Sequence, residues 1–157
     1  MRWMAIPLKL ANGNEIYLAP GKHGDLQRAV IEKFVPRYIP DTTILYLGDV
    51  TNKFLVYKQE RLGQLSVPIF ANNMLTDIIF HHAEKNWLYL IKTGTFYGCI
   101  SHRRLREMEK FLERCSAKRI YISVFSTIAE YRRSAKHIAW GSHVWIAEIP
   151  EHTIHHD

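Results

Sequence analysis

A mixed α/β sandwich, with helices packed against a central sheet, is the fold this sequence predicts. Three observations carry that expectation. Short apolar or alternating runs are interleaved with amphipathic helical segments after a hairpin start. The 157 residues suffice for one domain with one core. No linker, repeat or low-complexity tract divides the chain, so residues 1–157 are read as a single domain.

The elements follow in order. Ile6 to Leu10 and Glu15 to Ala19 flank Asn12-Gly13, a dipeptide that favours the φ > 0 geometry of a tight hairpin turn. Asp25 is placed as the cap of a helix with Leu26, Ala29, Val30 and Phe34 on one face, ended near Pro36. Thr43 to Leu47 is an apolar strand that stops at Gly48-Asp49. Phe54 to Tyr57 reads as extended, with a helical turn near Gln59 to Leu65. Asp77 to His82 and Trp87 to Lys92 read as two strands joined by Ala83-Glu84-Lys85-Asn86. If His82 pairs with Trp87, antiparallel pairing puts Asp77 opposite Lys92. Ser101 caps a helix with Leu105, Met108, Leu112 and Cys115 on its buried stripe. Arg119 to Phe125 is a central strand. Thr127 and Glu130 form a capping box for a helix to about Ile138, and His143 to Ala147 is the last strand.

Composition narrows the function classes. No apolar run approaches the ~18 residues that span a bilayer, and the N-terminus carries no stretch of signal-peptide length. Two cysteines, Cys99 and Cys115, make no disulfide framework, so a cytoplasmic setting is expected. Lys and Arg number 21 against 15 Asp and Glu, a balance that favours polyanions. Basic residues concentrate in Arg103, Arg104, Arg106, Lys110, Arg114, Lys118 and Arg119, against Glu107, Glu109 and Glu113. A second cluster is Arg132, Arg133 and Lys136. Each cluster taken singly also reads as a solvated helix face.

Several chemistries lack their residues. There is no glycine-rich phosphate loop, no Cys-x-x-Cys pair and no G-x-S-x-G elbow. His81 and His82 are adjacent on a strand and point to opposite faces, which disfavours a shared metal. The tail with His152, His155, His156 and Asp157 reads as a frayed polar terminus, and Cys99 as a buried structural thiol. What remains is a set of acids, Glu32, Asp49 and Asp77, with Lys53 near Asp49. Carboxylates can hold a hard divalent cation that polarises a phosphodiester, and a lysine can steady the developing charge. Isolated Asp residues at strand ends equally serve as turn or cap residues.

Read together, certain stretches resemble one family. They are Leu18-Ala19-Pro20-Gly21-Lys22-His23, Ala29-Val30-Ile31-Glu32-Lys33-Phe34, Leu45-Tyr46-Leu47-Gly48-Asp49 with Lys53, and Asp77-Ile78-Ile79. Glu84-Lys85-Asn86-Trp87-Leu88, Ile138-Ala139-Trp140 and Val144-Trp145-Ile146-Ala147 complete the set. In order and spacing they resemble the C-terminal catalytic domain of BsuBI/PstI type II restriction endonucleases, almost end to end. The resemblance implies a restriction-endonuclease-like fold, a mixed central sheet flanked by helices. It also implies Mg²⁺-dependent cleavage of double-stranded DNA at a short palindromic site, by a homodimer.

Carried over residue by residue, Asp77 matches the metal-binding Asp of the family's Pro-Asp pair, with Thr76 in place of Pro. Glu32, Asp49 and Lys53 match supporting positions. The family's Glu-Ala-Val-Thr-Ser-His-Gly-Pro is here Lys92-Thr93-Gly94-Thr95-Phe96-Tyr97-Gly98-Cys99, so a lysine stands where the metal-binding glutamate is expected. The family's N-terminal region, expected to help bind DNA, has no counterpart in these residues.

Three readings follow. A nuclease with a rearranged site would use Asp77 with Asp49 or Glu32 for Mg²⁺, and Lys53 or Lys92 for the scissile phosphate. A DNA-binding pseudoenzyme would keep the basic surface and the dimer interface without cleavage. A remnant of a restriction system would keep neither. His102, Arg103, Arg104 and Arg106 are the expected DNA contacts, and no membrane partner is expected.

Overall fold

The structure, a computed structural model, describes residues 5–49, 51–68, 76–94 and 99–156. A small hairpin opens the chain, β1 (Ile6–Lys9) against β2 (Glu15–Leu18), turning at Gly13 with φ 91°. The main sheet has seven strands: β3 (Thr43–Leu47), β4 (Val56–Tyr57), β5 (Ile78–His82), β6 (Trp87–Thr93), β7 (Lys118–Phe125), β8 (Ser142–Ile146) and β9 (Thr153–His156). Their order is β4-β3-β5-β6-β7-β8-β9. β6, β7 and β8 run parallel, and the remaining pairings are antiparallel.

Helices cover both faces because the buried strands are apolar on both sides. On one face α1 (Lys22–Ala29) and the helical turns after it set Leu26, Val30 and Phe34 against Ile78, Phe80, Tyr89, Ile91 and Ile122. On the other, α3 (Gln59–Gln64) and α4 (His102–Phe111) set Leu62 and Met108 against Ile79, Leu88, Leu90 and Tyr121. The period-2 pattern of β5 and β6 therefore splits between two cores. α5 (Ile128–Ser134) packs near Phe125 and Val144.

Four sequence expectations are corrected. Asp25 is not the cap of α1 but lies in its first turn, its N–H donating to Gly21 O at 3.0 Å. Gly21, at φ 127°, takes a conformation closed to most side chains and lets the helix start early. Pro36 does not end the helix. A π-helical turn over Val30–Phe34 intervenes, the Val35 N–H reaches Val30 O, and Pro36 falls in the first turn of α2 (Val35–Tyr38), directly after that widened turn.

The Thr127 capping box closes on one side only. Thr127 accepts from Glu130 N at 3.2 Å, but the Glu130 carboxylate pairs with Lys22, and Ile128 N takes Glu148 instead. The C-terminal tail is not frayed. Thr153–His156 is an edge strand on β8, held where Ile154 faces Val144. Its histidines hide the alternation that would announce a strand.

Candidate active site

The loop after β3 and the adjoining ends of the central strands β5 and β6 meet in one corner at the end of those strands. The β5–β6 ladder runs from His82↔Trp87 to Ile78↔Ile91 and ends there, and Asp77 and Lys92 lie one residue beyond its last pair. Asp77 N donates to Ile91 O at 2.9 Å, and Asp77 O accepts from Gly48 N at 3.1 Å. The backbone of Asp77 is thus stitched to both neighbouring strands.

Its carboxylate is surrounded by three side chains. Lys92 Nζ lies 3.9 Å from Oδ2, each side chain being 14% exposed. Thr93 donates to the same oxygen from its backbone N at 2.7 Å and from Oγ1 at 2.9 Å. His23, from the first turn of α1, places Nε2 4.0 Å from Oδ1 and Nδ1 2.9 Å from Thr93 Oγ1. Tyr46 forms the floor nearby. Burial first, and then the Asp77 charge, push its phenol well above the ordinary value, and its hydroxyl donates to Lys53 O at 2.7 Å. The ladder shifts register between Ile44 and Tyr46, and Gly48 leaves room for the Tyr46 ring, since a Cβ there would strike its hydroxyl.

The other sequence candidates sit as follows. Asp49 is buried and commits its acceptors to the loop. Oδ2 accepts from Ala19 N at 2.9 Å, and Oδ1 from Thr51 N, Thr51 Oγ1 and Asn52 N at 2.9, 3.0 and 2.6 Å. Burial raises the Asp49 carboxyl, but the N–H groups of Asn52, Ala19 and Thr51 outweigh it and hold the group below its usual range. Glu32 forms an i,i+4 pair with Arg28 at 3.1 Å and lines a groove with Pro36 and Pro150. Lys53 is exposed and engages through its carbonyl. Among the described residues, Asp77 meets Lys92, His23 and Thr93, not Glu32 or Lys53.

These donors do not fit a Mg²⁺ ion as such ions are commonly held, by one or two carboxylates in near-octahedral geometry. Asp77 offers one carboxylate beside an ammonium, and Asp49 is engaged by N–H donors. Gln27 Oε1, buried and without a hydrogen-bond partner among the described residues, is a neutral oxygen on a side chain tied to Gly48 O at 2.7 Å. It cannot supply a second negative charge. Among the described residues no group of three His, Cys, Asp or Glu side chains could hold a metal.

His23 and Thr93 are the members that sequence reasoning does not assign. His23 closes the matched stretch Gly21-Lys22-His23, and Thr93 directly follows Lys92. Those are the available signals, but only the seating of α1 on the sheet joins them. Thr95 to Gly98 lie outside the described residues. The basic helix α4 starts at the same edge. Ile100 N donates to Ser123 Oγ at 2.9 Å, and Ser123 is the β7 partner of Lys92. His102, Arg103 and Arg106 are exposed on α4, with Arg103 paired to Glu107 at 3.3 Å, while Arg104 is half-buried. The Cys99 thiol is buried, and burial pushes its pKa up, away from a nucleophilic thiolate. No helix of the described residues is long and apolar enough to cross a membrane.

Comparison with known proteins agrees with this architecture. The chain is 37% identical over 150 residues to the type II restriction enzyme BsuBI of Bacillus subtilis, covering 96% of this chain and 48% of that protein. It is 25% identical over 155 residues to the type II restriction enzyme AplI of Arthrospira platensis, covering 94% of this chain and 48% of that one. The structure of the SdaI restriction endonuclease superposes with a TM-score of 0.92 at 25% identity, over 99% of this chain and 49% of that one. The chain thus spans about half the length of the relatives it matches. With its residues 6–157 matching the family model and 99% of it superposing on SdaI, this chain belongs to the BsuBI/PstI restriction endonuclease domain family.

Proposed function

We propose that this chain engages double-stranded DNA as the nuclease-fold domain of a type II restriction endonuclease, acting as a homodimer on a short palindromic site. The observation that carries this reading is the corner itself. A half-buried carboxylate, a lysine and a histidine converge at one end of the central strands, where the basic helix α4 begins. Such groups suit a phosphodiester, whose charge is met by Lys and Arg and whose cleavage needs a positioned carboxylate.

Mg²⁺-dependent cleavage is the reaction this class of domain implies, with Asp77 at its centre. A second reading, duplex binding without cleavage, is favoured by one specific observation: the Lys92 ammonium stands 3.9 Å from the Asp77 carboxylate. Two facing carboxylates would attract a divalent cation, whereas this pair is already neutral. The deciding assay is incubation of the protein with plasmid DNA in Mg²⁺ or Mn²⁺. The expected outcome is duplex binding with little or no fragmentation, and nicking that rises in Lys92→Glu. Discrete fragments from the unmodified chain would establish the cleavage reading. No duplex affinity at low salt would remove both.

A further inference from the structure

The Asp77 charge is balanced from within the chain. Lys92 reaches it across the β5–β6 ladder, and the pair is largely shielded from solvent and its screening ions. Thr93 supplies two donors to the oxygen that Lys92 approaches. Neither Thr93 nor His23 adds negative charge, so Asp77 and the three side chains around it sum to zero or above. A dication placed there would meet the Lys92 ammonium, with the Asp77 carboxylate to offset both. A monoanion, by contrast, finds a fixed positive group and the histidine ring.

We infer that Lys92 is a resident cation, holding Asp77 as a metal would, so that the corner receives a DNA phosphate without any divalent ion. The phosphate as ligand rests on the DNA-directed reading above; the charge assignment of Lys92 does not.

The test uses the purified chain, a fluorescently labelled DNA duplex, and buffers of matched ionic strength containing either EDTA or Ca²⁺. Duplex affinity of the unmodified chain is expected to agree within about twofold between the two buffers. Its melting temperature should show no saturable rise with Mg²⁺ or Mn²⁺. Lys92→Glu should gain both a saturable melting shift and bound Mn²⁺ visible by electron paramagnetic resonance. Lys92→Gln, which removes the ammonium without adding an acid, should lose duplex affinity several-fold and gain no Mn²⁺; it keeps the inference exposed if Lys92→Glu does not fold. Bound Mn²⁺ with a saturable melting shift in the unmodified chain would overturn the inference, as would Lys92→Gln binding DNA as tightly as the parent. Should the parent fail to bind duplex in either buffer while Lys92→Glu gains Mn²⁺, the phosphate ligand falls and the charge assignment stands.

Discussion

Asp49 gives up every acceptor to three backbone N–H groups and one hydroxyl, which makes it the organiser of the loop beside Asp77. Asp49→Ala leaves those donors without a protein partner, so a loss on the order of 3 kcal/mol is expected in urea unfolding at pH 7. The pH dependence has a definite sign. The folded carboxyl lies below its usual 3.8, so the stability it contributes is present above that value and is lost as pH falls through the folded value. Unfolding measured below about pH 5 should therefore fall less steeply for Asp49→Asn than for the parent. Glu109 behaves likewise. Burial raises it, but hydrogen bonds from Arg119 and Tyr121 bring it lower overall. Asp49, a candidate metal ligand in the sequence, organises the turn as well, a role that becomes visible only when Ala19, thirty positions earlier, is seen to donate to it.

At the scale of elements, local chemistry explains what can be read in advance. Ser101 caps α4 through a bond that spans three residues, Arg104 N to Ser101 Oγ at 3.2 Å, so four consecutive residues announce it. Ser101→Ala is expected to cost about 1 kcal/mol, seen as a lowered melting temperature. The β5–β6 register is equally local. A four-residue connection and a period of two set His82 against Trp87 and bring the Asp77 and Lys92 side chains together. α1 is less legible. Its start depends on the φ of Gly21, and its continuation past Pro36 on a widened turn that no propensity signals. β9 escapes a sequence reading because an edge strand is stabilised by its neighbour, and only Ile154 marks the apolar side.

For the whole molecule, two cores on either side of one sheet make the central strands the most sensitive positions. Leu90 is 1% exposed and packs among Leu88, Ile79 and Met108, so Leu90→Ala should cost about 2–5 kcal/mol in denaturant unfolding. The surplus of 21 Lys and Arg over 15 acids has its consequence at this scale too. If α4 lies along DNA, duplex affinity falls linearly on a log–log plot against salt. Reversing Arg103 and Arg106 to Glu should then weaken binding and flatten that slope by about one for each phosphate no longer neutralised. A salt-independent affinity would remove α4 from the interface.

Fold class, the β5–β6 register and the nearness of Asp77 to Lys92 are written in the sequence, because periodicity, turns and caps act over a few residues. The convergence of His23 and Thr93 on Asp77, the engagement of Asp49 with Ala19 and the pairing of Glu32 with Arg28 are decided by tertiary structure. Each of those depends on how α1 and the loop after β3 seat against the sheet. That seating is set by packing among residues far apart in the chain, which no local pattern records.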